Sequence, residues 1–295
     1  MSETVPRYVS CTVPAALAGR RVGGLCKTQL RISERVLASV KQRPGGILLN
    51  GESVHTDRIV REGDVLAVRV DDWNGENAAA PADVPLQIVY EDEDLAVIEK
   101  PAGMAVHGSA AGTGATLANA LAFRWGRAQP FHPVHRLDRG TSGLMVVAKS
   151  AYAHELLRRE LDRGELRREY LALTDGLPEP AAGTVCRPIG REPGHLTHRR
   201  VSEDGKRAET VYETVRAARG VALVRLRLLT GRTPQIRVHM ASLGCPLLGD
   251  ALYGGRTDAL SHPALHSAFL ELCQPITGEK LTFSSEPPEE WQELC

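Results

Sequence analysis

Between Ile32 and Val54 the apolar positions first recur at helical spacing and then shorten into extended runs. ISERVLASV reads as a helix that Ser33 can cap, Pro44-Gly45-Gly46 ends it, and Asn50-Gly51 makes a two-residue hairpin turn. VREGDVLAVRV then turns at Gly63-Asp64 and places Leu66, Val68 and Val70 on one face of a strand. The following DDWNGENAAAPADV is polar and rich in Ala, Gly, Asn and Pro, the composition of a linker. Beyond it, LQIVY and LAVIE flank the acidic turn EDED as a hairpin entering a sheet. Ser150 to Asp162 reads as a helix stopped by Gly164, and REYLALTDG returns to a strand. VALVRLRLL sets Val224, Leu226 and Leu228 against Arg225 and Arg227, one face buried and one basic. TPQIRVHMASLG predicts a helix with Thr233 as cap, Pro234 at its first position and Gly244 at its exit. Its stripe Ile236, Met240 and Leu243 packs inward and leaves Arg237 on a flank.

Strands outnumber helices in this pattern and no repeat is visible. The expected fold class is α+β: a largely antiparallel, mixed-sheet domain over residues 85–295, preceded by a small α/β module at 1–70 and a linker at 71–84.

Composition narrows the classes. An apolar share of 42% supports a packed core, and no apolar run is long enough to span a membrane. The first residues lack the apolar stretch of a secretory signal, and the six cysteines show no CxxC spacing. Reduced thiols in a cytoplasm are the expectation. The formal charge is zero, yet from Ala15 to Gly45 the charged residues are Arg20, Arg21, Lys27, Arg31, Arg35, Lys41 and Arg43 against Glu34 alone. Such a run suits phosphate binding if the rest of the chain handles RNA, and is otherwise a solvated face.

The candidate chemistry centres on HRLDRGTSG, residues 135–143, where Asp138 stands between Arg136 and Arg139. Most loop aspartates brace turns, but Thr141-Ser142-Gly143 already supplies turn chemistry here. Cations within a few ångströms lower an aspartate pKa by roughly 1–3 units, so Asp138 is expected to be held ionised, suited to nucleophilic attack or to stabilising a developing cation. His107, His132, His135 and His239 make a loose set without a Cys or carboxylate to complete a metal site. GRTPQIRVH lacks the Gly-rich loop and Lys of a nucleotide site, and no second acid stands out for a paired-carboxylate glycosidase.

HPVHRLDRGTSGL closely resembles the signature of the RluA-type pseudouridine synthases, which include the large-subunit ribosomal RNA enzymes. IVYEDEDLAVIEKPAGMAVHG, REYLAL, LLTGRTPQIRVHMASLGCPLLGDALYG and LHSAFLELCQPITGEKLTF follow the family's order, so the resemblance runs from about residue 86 to 283. The N-terminal unit resembles the RNA-binding module of ribosomal small-subunit protein four. The resemblance implies an enzyme that makes pseudouridine from uridine already in RNA. It implies Asp138 as the nucleophile toward the target ribose, Tyr170 as the tyrosine that stacks on the base with a hydroxyl for proton transfer, and Arg237 as the arginine paired with the aspartate. Arg136 matches a residue that fills the helix stack when the base flips out, a step that costs a few kcal/mol. The sequence departs from the family at Pro234, where GRTHQIR has histidine, and at Gly140, where a polar residue is usual.

Bond exchange within one nucleotide needs neither cofactor nor metal, so none is expected. The expected partner is RNA, ribosomal RNA before transfer RNA, bound by Arg136 and by Arg20, Arg21, Lys27, Arg31 and Arg35 of the module. The expected protein is a cytoplasmic monomer. A non-catalytic RNA-binding assembly factor on the same fold is the alternative from another class.

Overall fold

A computed structural model describes residues 6–72, 77–108, 114–127, 129–195 and 198–295. Its first unit contains β1 (Tyr8–Thr12), α1 (Val22–Thr28), α2 (Glu34–Val40), β2 (Ile47–Leu49), β3 (Glu52–Ser53) and β4 (Val65–Arg69). The strands form an antiparallel sheet in the order β1-β4-β2-β3. Helix α2 begins where the pattern put it, with the Ser33 hydroxyl accepting from Val36 N at 3.2 Å. Asn50 and Gly51 both take positive φ, 52° and 84°, which is the twist a two-residue hairpin needs. The Asn50 side chain also accepts from Val65 N at 2.8 Å, fastening the hairpin to β4. Leu66, Val68 and Val70 join Val22, Leu25, Ile32 and Leu37 in one core. Strand β1 had no turn signal to mark it; it is recognisable only through its partner β4.

The remaining elements are β5 (Gln87–Glu91), β6 (Leu95–Lys100), α3 (Leu117–Trp125), β7 (His132–Pro133), β8 (Ser142–Ala148), α4 (Ala151–Arg163), β9 (Arg167–Asp175) and β10 (Ala182–Cys186). After them come β11 (Ile189–Arg191), β12 (Arg199–Val201), β13 (Glu209–Ala218), β14 (Val221–Leu228), α5 (Gln235–Ser242), β15 (Leu265–Cys273) and β16 (Lys280–Ser284). One sheet runs β10-β13-β14-β9-β15-β8-β6-β5, with β16 beside β15 and β7 beside β8. Among the described residues, its pairings are antiparallel except β15 with β8. The fold is therefore α+β with a largely antiparallel mixed sheet.

Both faces of the central strands are covered. In β6 and β8 the alternation sends Ala96, Ile98, Met145 and Val147 to the core shared with α3 and α5. It sends Leu95, Val97, Leu144 and Val146 to the core shared with α4. That is why these strands read as unbroken apolar runs. Helix α4 begins at Ser150, whose hydroxyl accepts from Ala153 N, and ends at Gly164 in the left-handed region.

Helix α5 differs from expectation at its start. Pro234 is the cap residue, its carbonyl taking the first helical bond from Val238 N at 3.2 Å. Thr233 therefore lies outside the helix, exposed and capping nothing. The Gln235 side chain orders the entry, accepting from Arg232 N and Thr230 Oγ1 and donating to Glu209 O and Thr210 Oγ1.

The segment 71–84 carries a linker's composition, and its residues 73–76 lie outside the described set. On either side the chain is bonded. Asp71 receives Arg43 and Arg69, Asp72 receives Ala151 N and pairs with His132, and Asn77 donates to Ala118 O at 2.8 Å. The two units also meet directly. Tyr152 of α4 is packed into the core of the first unit, and its hydroxyl donates to Leu30 O at 2.6 Å. Arg7 pairs with Asp94 at 2.9 Å, and Arg35 with Glu155 at 3.3 Å.

Tyr152→Phe keeps the ring and removes one buried donor, leaving Leu30 O unpaired. A loss of about 1 kcal/mol is expected, read as a lower urea midpoint at an unchanged slope. A midpoint equal to that of the wild type would show that this bond does not hold the two units together.

Candidate active site

Asp138 lies on the loop between β7 and β8, immediately before the parallel seam of the sheet. Thr141 N donates to Asp138 O at 3.1 Å, closing the turn. At its other end the loop is tied to residues 100–104. Arg139 donates to Gly103 O, and Gly103 N returns a bond to Arg139 O, each at 2.8 Å. Beneath them Lys100 is fully buried, donating to Pro101 O at 2.8 Å, Met104 O at 2.9 Å and Arg139 O at 3.4 Å. Burial pushes this ammonium down to about 8, against an upward pull from Asp138. Arg139, expected to flank the carboxylate, is thus occupied by a backbone carbonyl.

Arg237 reaches the site from α5. Its Nε and Nη2 make a two-pronged contact with Asp250, both bonds 2.7 Å, while Nη1 faces Asp138 Oδ2 at 3.6 Å. The guanidinium also lies over the Tyr253 ring, 5.0 Å from its centre. The aspartate–arginine pairing read from the sequence is present, but Asp250 holds the arginine more tightly. Asp250 and Tyr253 belong to GDALYG, where spacing alone gives no sign that they would fold back onto α5.

Tyr170 comes from β9 and is 3% exposed. It lines a 60 Å³ pocket together with Asp138, Arg237 and Arg136. Arg136 is exposed at the rim and has no carboxylate partner among the described residues. Asp138, Tyr170, Arg237 and Arg136, scattered over a hundred positions, therefore meet at one pocket. It adjoins an 800 Å³ cleft that Arg136 and Tyr170 also line.

The electrostatics correct the expectation for Asp138. Burial raises its carboxyl above the usual aspartate range; Arg237 and then Arg136 pull it down without cancelling that push, and Asp250 adds to it. The neighbouring cations are shared or turned away, so they do not hold the group below its ordinary value.

The histidines do not converge. His132 pairs with Asp72, His107 packs edge-on to Phe131, and His239 bonds Thr210 Oγ1 and Arg187 O. His135 is buried, and its Nε2 accepts from Val146 N at 3.4 Å. Among the described residues no group of three or more His, Cys, Asp or Glu is placed to hold a metal ion. In the N-terminal unit Arg20, Arg21, Lys27, Arg31 and Arg35 are all exposed, with Lys27 paired to Glu34. Arg43, from the same basic run, is instead buried against Asp71.

Residues 94–242 match the family model described as RNA pseudouridylate synthase. The chain is 38% identical to the Bacillus subtilis RNA pseudouridine synthase YhcT over 94% of this chain and 93% of that protein. It is 38% identical to the ribosomal large subunit pseudouridine synthase D of Xanthomonas campestris, over 96% and 90% respectively. Among solved structures, human RNA pseudouridylate synthase domain containing 1 superposes with a TM-score of 0.60 at 29% identity, covering 70% of this chain and 85% of that one.

Two stability effects follow from the charges. A carboxyl raised on folding contributes stability only while protonated, so at neutral pH the ionised Asp138 works against the fold. Asp138→Asn is expected to raise the melting temperature at pH 7. The gain should disappear as pH falls below about 3.9, where the carboxyl is protonated even in the unfolded chain. Arg237→Ala acts oppositely, stranding Asp250, whose side chain is 1% exposed. A loss of roughly 3–5 kcal/mol in urea unfolding is expected.

Proposed function

The chain belongs to the RluA-type family of RNA pseudouridine synthases and is an enzyme that isomerises uridine within RNA; we propose that Asp138 is its nucleophile and that large-subunit ribosomal RNA is its substrate. The observation that carries the first part is the meeting of Asp138, Tyr170 and Arg237 at one pocket. The relatives named ribosomal large subunit pseudouridine synthase D and the basic N-terminal unit support the second. Family membership also sets aside the non-catalytic assembly factor.

In this reading the target nucleotide leaves its stack and brings its ribose to Asp138. Entry of uracil moves side chains at the rim, and Arg136, exposed there and without an ion pair among the described residues, is placed to swing into the vacated stack. Tyr170 offers a flat wall for the base and a hydroxyl at its edge. Arg237, clamped by Asp250, keeps one nitrogen facing the carboxylate throughout. Asp138 attacks C1′ of the target ribose as the glycosidic bond to nitrogen breaks, giving a ribosyl ester and a uracil anion. The uracil turns in the pocket and bonds C1′ through carbon five, displacing the Asp138 carboxylate, and its freed nitrogen takes up a proton. The hydrogen on carbon five leaves as a proton. The same soluble monomer, acting in the cytoplasm without cofactor or metal, completes the proposal.

RNA carrying tritium on uracil carbon five tests both parts. Wild-type protein should release tritium from large-subunit ribosomal RNA, and Asp138→Asn, folded and still RNA-bound, should release none. Release by Asp138→Asn would remove it as the nucleophile, while release from transfer RNA alone would move the substrate. The rate with wild type should fall off toward acid from a higher pH than an ordinary aspartate would give, because the attacking group is a raised carboxyl.

A further inference from the structure

The 800 Å³ cleft beside the pocket is walled by arginines, with Asp162 as its one acid among the described residues, and Asp162 already pairs with Arg158 at 3.0 Å. Arg168 stands on the same face of β9 as Tyr170, two residues before it, and has no carboxylate partner among the described residues. Its charge and that of Arg158 both act on His135, which lines the same wall. Together with burial they keep that imidazole neutral. Since Nε2 accepts from Val146 N, the ring proton is on Nδ1, and Nδ1 has no acceptor. Half-buried Arg168 and buried His135 thus stand side by side on one wall, the first without a carboxylate partner and the second with its Nδ1 proton unaccepted, among the described residues.

Helix α4 connects this wall to the N-terminal unit. His154 and Arg158, four residues apart, line the cleft. Glu155 and Arg159, one position further round, contact the unit: Glu155 pairs with Arg35, and Arg159 donates to Arg31 O at 2.9 Å. The exposed Arg31 and Arg35 therefore stand one helix flank away from the cleft, and the Tyr152 contact holds them there.

We propose that this cleft seats the single strand of RNA contiguous with the flipped uridine, its phosphates passing from Arg168 to Arg158 and on to Arg31 and Arg35. The inference rests on the reading of the pocket as the uridine site. A strand lying there exchanges its counterions for the arginines, and its first phosphate beyond the pocket is the acceptor the Arg168 wall lacks. Arg168 is a binding residue in this scheme: it touches the strand beside the target and no reacting atom.

The test uses full-length protein and transcribed large-subunit ribosomal RNA labelled on carbon five. Arg168→Gln should raise KM about tenfold or more, the size of a lost charged hydrogen bond, with kcat changed by less than about twofold. The slope of log affinity against log salt should fall by about one for Arg168→Gln, and again when Arg31→Gln and Arg35→Gln are added. Arg168→Lys should recover part of KM, separating lost charge from misfolding. Arg216→Gln, at the opposite end of β13, should change neither quantity. Unchanged KM and salt slope in Arg168→Gln, or a fall in kcat alone, would overturn the proposal while leaving the uridine site intact. No tritium release by the wild type would instead overturn the reading of the pocket.

Discussion

The close approach of β8 and β15 is the contact on which the rest of this structure depends. Two antiparallel groups of strands are joined there by a short parallel pairing, Ser142 to His266 and Gly143 to Ser267. Gly143 has φ of 101°, and a Cβ on it would lie 2.4 Å from Ser267 O, so only glycine permits the seam. Ser267 pairs on its other side with Tyr170. Gly143, Ser267 and Tyr170 thus form one row across three strands. The separation between the loop that carries Asp138 and the tyrosine opposite it is set by strand spacing, about 4.8 Å per step. Rigidity at the site is a property of the sheet before it is a property of any side chain.

Charge is arranged around that frame in two layers. Asp250 and Tyr253 fix Arg237, and Arg237 then presents a single nitrogen to Asp138. Lys100, beneath, spends its donors on carbonyls of the loops that bear the site. Asp138 is left crowded and incompletely compensated, which makes its ionised form higher in energy. The arrangement opposes stability at that residue.

Much of the architecture was legible because it is punctuated locally. Ser33, Asn50-Gly51, Ser150 and Gly164 each do in three dimensions what their residue type does in a short peptide. Alternation in VALVRLRLL survives as a strand with Leu226 buried and Arg225 and Arg227 exposed. Where the outcome depends on distant partners the sequence was silent or misleading. Strand β1 exists through β4, Asp250 reaches Arg237 by a fold-back after α5, and Arg43 leaves the basic face to meet Asp71. Thr233 was displaced as a cap by the proline after it. Neighbouring arginines suggested a depressed Asp138, but Arg139 faces a carbonyl and Arg237 is shared, so proximity along the chain misjudged the field.

Tyr152 has a consequence for how this protein could be rebuilt. Its side chain belongs by sequence to one unit and by packing to the core of the other, where Ala151, Leu156 and Ile276 also press. The N-terminal unit is therefore no detachable cassette. A chimaera that exchanges it for another small domain must supply a socket for that aromatic ring, or the graft will leave an apolar scar on α4. In this chain the two units can change at this joint only together.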